Sequence, residues 1–183
     1  MASNYEIRIY GDPVLKQRAT EVATIDGAIK KLTDEMLDLM YEAPGLGLAA
    51  TQVGVQKRLF VYDIGDGPQV LVNPVIKESR GEWVYDEGCL SVPDMSFEIV
   101  RPKEVHLVGY DIDGNEVDFE ADEVTARLFQ HELDHLDGKL LLEHLDDDQR
   151  KEAMRVLRQR MLDGTLVRPE ADPARRRFRR NRP

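Results

Sequence analysis

Cysteine and tryptophan each occur once in 183 residues. A lone thiol, Cys89, rules out an intrachain disulfide, so a secreted scaffold stapled by bridges is excluded and the sulfur is left for metal or nucleophilic work. No apolar run approaches the roughly 20 residues of a membrane helix. The opening Met1–Arg8 has neither the basic start and apolar stretch of a signal peptide nor the acid-poor, Arg-rich pattern of a transit peptide, which points to the cytosol. Internal repeats and low-complexity linkers are also missing, so the chain reads as one domain with one active site.

Charge is present but uneven. The net value is −10, yet residues 168–183 hold seven Arg against Glu170 and Asp172, a local +5 that leaves −15 on the remainder. Such an acidic body repels nucleic acid, so sequence-specific nucleic-acid binding is not expected, and any ribosome contact falls to the tail. The reading is a folded unit over 1–167 and a basic, disordered tail over 168–183.

Apolar Ile25, Ile29, Leu32, Met36 and Leu39 or Met40 recur at helical spacing behind Thr24, a candidate cap. Residues 58–64, 69–77, 81–85 and 104–111 read as strands, and Asp111–Asn115 marks a turn into another extended run, 116–120. A helix over about 122–136 stops at Asp137-Gly138, and a last one covers about 147–162. Helix, strands, helix and helix without regular alternation predict an α+β fold, with antiparallel or mixed sheets packed around the 122–136 helix and a helix at either end of the chain.

Chemistry concentrates in that helix. Gln130-His131-Glu132-Leu133-Asp134-His135 sets two imidazoles one turn apart on one face, where they can share a metal. Glu132 falls on the flank, placed to take a proton from a water without being a ligand. A hydrolytic site needs a third protein ligand. The metzincin extension requires a third His at position 141, which is Leu141. A thermolysin-like protease would use a carboxylate from the next helix, and Glu152 lies there. Cys89, in Glu87-Gly88-Cys89-Leu90-Ser91, is the other candidate, since a thiolate binds divalent iron or zinc strongly. Gly45-Leu46-Gly47-Leu48-Ala49-Ala50-Thr51-Gln52 resembles a dinucleotide fingerprint but follows a helix, and too few residues precede the next strand for a crossover. Its glycines instead suggest backbone close to a ligand, with the Gln52 amide as donor.

Taken together and in this order, Gly45–Gln52, Glu87–Ser91 and Gln130–His135 resemble the three signature segments of peptide deformylases, over about residues 5–160. The resemblance implies Cys89, His131 and His135 as metal ligands, Glu132 as acid and base, and Gln52 with the Leu90 amide as the oxyanion site. It further implies a monomeric catalytic domain that removes the formyl group from N-terminal formylmethionine of nascent bacterial polypeptides. Ferrous iron is the expected metal, with zinc or nickel as substitutes. Val124, Arg127, Leu128, His131 and His135 form one helical stripe, so Val124 and Leu128, with Leu46 and Gly47, are expected to receive the methionine side chain. Arg101 is expected to contact the substrate backbone. Arg127 is placed either at the pocket mouth or on a local acid such as Asp134, which is itself expected to support a ligand histidine. Two other readings stay open: a metalloprotease using Glu152, and a structural metal site in a ribosome-associated module.

Overall fold

The computed structural model describes residues 5–43 and 45–169, so most of the basic tail lies outside the described residues. Helix α1 (Gly27–Glu42) begins two residues later than Thr24 would allow, because Asp26 is the cap: its carboxylate accepts from the Ala28 and Ile29 amides. Strands β1 (Gly47–Ala49), β2 (Leu59–Tyr62), β3 (Gln69–Arg80), β6 (Glu104–Tyr110) and β7 (Glu116–Asp122) form one sheet in the order β1-β2-β3-β6-β7. Strands β4 (Trp83–Cys89) and β5 (Val92–Arg101) pair separately as a hairpin. All these pairs are antiparallel, so the sheets are not mixed; the one parallel contact among the described residues is the isolated Thr20–Lys57 bridge. Helix α2 (Glu123–Leu136) follows β7 directly, and α3 (Asp147–Leu162) closes the order. The fold is α+β.

Burial explains why β2 is apolar at every position. Leu59 and Val61 pack with α1 residues such as Met36 and Met40, while Phe60 and Tyr62 pack with Phe129 and Leu133 of α2. A strand covered on both faces has no solvent side on which to alternate. The β1 strand shares this layering, with Leu48 in the first cluster and Ala49 in the second, so the glycine segment is wedged between the two helices. A third cluster joins the β4–β5 hairpin to α3 through Val92, Ile99 and Leu157. The end of α2 is set by Gly138, whose φ of 75° is left-handed and whose missing side chain admits the Lys16 carbonyl.

Phe129 joins the metal-motif helix to the sheet, with ring centroids 5.2 Å from Tyr62 and 5.9 Å from Phe60. Phe129→Ala is expected to cost about 3 to 5 kcal/mol through lost burial and a residual cavity. Urea unfolding checks this as a lowered midpoint at unchanged slope.

Candidate metal centre

His131 and His135 stand one turn apart on α2, rings nearly perpendicular and Nε2 atoms 3.2 Å apart. Cys89, at the end of β4, brings Sγ to 3.2 Å from His135 Nε2. All three donor atoms lie within 4.8 Å of one another. Burial would raise the Cys89 pKa, but the His135 and His131 imidazoles hold it down at about 5, so the sulfur is a thiolate at neutral pH. Burial opposes charge on His131 as well, yet the neighbouring Cys89 and Glu87 push its pKa well above the ordinary value. The cluster is thus arranged to stabilise positive charge among its donors. One thiolate and two imidazoles suit a divalent transition metal, and the residues fit such an ion.

Glu87, two residues before Cys89 on β4, organises this centre. Its buried carboxylate accepts from His131 Nδ1 at 2.7 Å, from Arg101 Nε and Nη2 at 2.8 and 2.7 Å, and from Arg127 Nη1 at 2.7 Å. The bond from Nδ1 turns His131 Nε2 toward Cys89 and His135. Burial raises the Glu87 pKa, but hydrogen bonds from Arg101 and His131 outweigh it and hold the group ionised well below the usual carboxylate range.

Three expectations change here. Arg101 is 3% exposed and is not placed to meet a substrate backbone. Its guanidinium is consumed by Glu87 and, at 2.9 Å, by Asp134, because two carboxylates in a poorly hydrated region require a cation between them. Arg127 pairs with Glu87 rather than Asp134, donates to the Trp83 and Ile99 carbonyls, and lies over the Trp83 ring while lining the cleft. Asp134 joins Arg101 to His144, so the carboxylate behind a candidate ligand is Glu87. Glu152 is exposed and paired with Arg155, and it does not line the cleft. The site of a protease using Glu152 is not assembled.

Glu132 is 3% exposed, and burial pushes its pKa up to about 7. Among the described residues its Oε2 has no hydrogen-bond partner. Gln52 stands in a 3-10 turn (Ala50–Val53), where its Oε1 accepts from the Ala49 amide at 2.9 Å. That bond commits the carboxamide nitrogen to the site, where it donates to Ser91 Oγ at 3.1 Å and faces Cys89 Sγ at 3.9 Å. Neighbouring Thr51 donates to the His135 carbonyl, tying the turn to α2.

These groups border a cleft of about 560 Å³. Leu46, Gly47, Leu90, Val124 and Leu128 all line it. So does Tyr85, stacked on Trp83 at 4.7 Å, which the periodic patterns did not single out. Glu87 and Ser91 were visible only as neighbours of Cys89.

A family model described as Polypeptide deformylase matches residues 4–151. The peptide deformylase of Agathobacter rectalis is 49% identical over 140 residues, 76% of this chain and 89% of the relative. That of Acidothermus cellulolyticus is 42% identical over 167 residues, 91% of this chain and 93% of the relative. The crystal structure of a peptide deformylase from Legionella pneumophila superposes with a TM-score of 0.81 at 34% identity, covering 98% of this chain and 99% of that one. The Ehrlichia chaffeensis enzyme, solved in complex with actinonin, also gives 0.81 at 36% identity over 85% and 96% of the two chains. This chain belongs to the polypeptide deformylase family.

Proposed function

We propose that the protein hydrolyses the N-formyl group from the N-terminal formylmethionine of newly made polypeptides, in the bacterial cytosol and as a monomer, releasing formate. The observation that carries the reading is a buried carboxylate poised near neutral pH, Glu132, beside a thiolate and two imidazoles at the floor of an apolar cleft. Cys89, His131 and His135 would hold one divalent metal, ferrous iron in the cell with zinc or nickel as substitutes. When bound, it supplies a Lewis acid that lowers the pKa of water.

The chain's own groups account for the proton traffic. Glu132 takes the proton of the attacking water as its oxygen adds to the formyl carbon. A pKa of about 7 suits this, because the group is a competent base at neutral pH and an equally competent acid once protonated. Negative charge growing on the formyl oxygen is met by the Gln52 carboxamide, already oriented by Ala49, and by the Leu90 amide. Glu132 then passes its proton to the departing amine. Leu46, Val124 and Leu128 offer apolar surface for the methionine side chain. Arg101 acts behind His131 through Glu87 and takes no part in binding. Ribosome contact falls to residues 168–183, of which Arg168 and Pro169 are described. Among the described residues no helix is long and apolar enough to cross a membrane.

The test is a formyl-Met peptide offered to anaerobically prepared protein. Formate release with every peptide bond intact is expected, and internal cleavage would overturn the reading. Cys89→Ala should leave the two imidazoles unable to retain the ion, and metal analysis after dialysis should find it gone with activity lost. Full metal occupancy in that variant would remove Cys89 from the ligand set.

A further inference from the structure

Gly47 is buried in β1, and its backbone does not demand glycine: it is absent from the left-handed residues, unlike Gly54 immediately after the same segment. What glycine supplies at 47 is space. A Cβ there would stand 2.5 Å from Glu132 Oε1, 3.0 Å from Glu132 Cδ and 3.1 Å from Leu128 Cδ1. The strand has no room to retreat, because Gly47 is paired with Tyr62 of β2 and the following Leu48 and Ala49 are completely buried. Among the described residues none donates a hydrogen bond to Glu132 Oε2. The space left bare at Gly47 is thus one of the surfaces that bound the carboxylate, on the side of Oε1.

The geometry points to Gly47 as the positioning residue for Glu132: its missing side chain lets the carboxylate seat against β1, and any side chain there displaces it. This rests on the deformylase reading only in naming Glu132 as the proton carrier. The contested atom is the far end of a flexible side chain, so Gly47→Ala is expected to fold and to move the carboxylate rather than the strand.

In metal-loaded Gly47→Ala, kcat for a formyl-Met peptide should fall about 100-fold, the scale of a misplaced general base. KM, bound metal and thermal midpoint should change little. Adding Leu128→Ala, which relieves the other close contact, should leave the Glu132 carboxylate displaced; because Leu128 also borders the methionine pocket, recovery in this variant is judged on the position of the carboxylate and not on turnover. Near-wild-type kcat, loss of metal, or recovery in the double variant would each overturn the assignment. Crystal structures of the two proteins provide a readout independent of turnover: the Glu132 carboxylate should shift by about 1 Å, the shortfall from ordinary contact, and an unmoved carboxylate refutes the inference. If Gly47→Ala does not fold, Gly47→Ala with Glu132→Ala should, since the obstructing group is gone; failure of both would also refute it. Absence of formate release by the wild type would instead count against the deformylase reading, leaving the displacement to decide this one.

Discussion

Glu132→Gln is expected to lower turnover of a formyl-Met peptide about 1,000-fold while the metal stays bound. The amide has nearly the shape of the carboxylate and can neither accept the water's proton nor deliver it to the amine. Metal retention follows from geometry, because the converging donors are Cys89, His131 and His135 and none belongs to residue 132. Stability should move in the opposite direction from activity. Burial raises the folded-state pKa of Glu132 to about 7 from an ordinary 4.5, so ionisation is more costly in the folded protein than in the unfolded chain. The wild type therefore loses stability relative to the Gln variant as pH rises from about 4.5 toward 7, and below that window the two converge. Because no described residue donates to Oε2, the substitution abandons no protein donor among them. Steady-state kinetics and metal analysis on the loaded enzyme, with melting curves on metal-free protein, check all three statements. A metal-loaded variant with wild-type kcat would remove Glu132 from the proton pathway.

The parts of this centre that were legible in the sequence are those governed by local rules. Helical spacing places His131 and His135 on one face whatever the rest of the chain does, and the 147–162 helix was readable from its own periodicity. Asp26 displaced Thr24 as the α1 cap by the same kind of local competition, since its side chain reaches two amides of the first turn. Arg101 and Glu87 were not legible in this way. Their roles depend on the β4–β5 hairpin lying against α2, a juxtaposition of segments 14 to 44 residues apart in sequence. One signal was nevertheless available. Glu87 and Cys89 are two apart in an extended segment, so alternation puts them on the same face, and a carboxylate sharing a face with a candidate ligand is a candidate partner for the histidines. Gly47 carried a different kind of information: glycine without a turn marks a close approach, but only the fold says that the neighbour is Glu132.

The pivotal position of Glu87 leads to the second large effect. Glu87→Gln keeps the volume but replaces a carboxylate that neutralises two buried guanidiniums and orients a candidate ligand. Arg101 retains Asp134, whereas Arg127 keeps the Trp83 and Ile99 carbonyls and the Trp83 and Tyr85 rings but no carboxylate among the described residues. Removing one partner from a buried charge cluster costs about 3 to 5 kcal/mol, and urea unfolding should show a loss of that order. The effect has a pH signature. The folded-state pKa of Glu87 is depressed below 4.5, so its contribution is fully present above that value and declines as acid protonates it; the gap between wild type and variant should narrow on acidification below about pH 4.5. Metal binding should weaken as well, by about 10- to 100-fold, because His131 Nδ1 loses its ionised acceptor and the imidazole its fixed orientation. These readouts separate the two functions of the group. Arg101→Met should reproduce much of the stability loss while leaving the His131–Glu87 bond available, so its effect on metal affinity should be the smaller. Equal losses of metal affinity in Glu87→Gln and Arg101→Met would mean that the whole buried charge cluster, rather than the single bond to Nδ1, holds His131 in place.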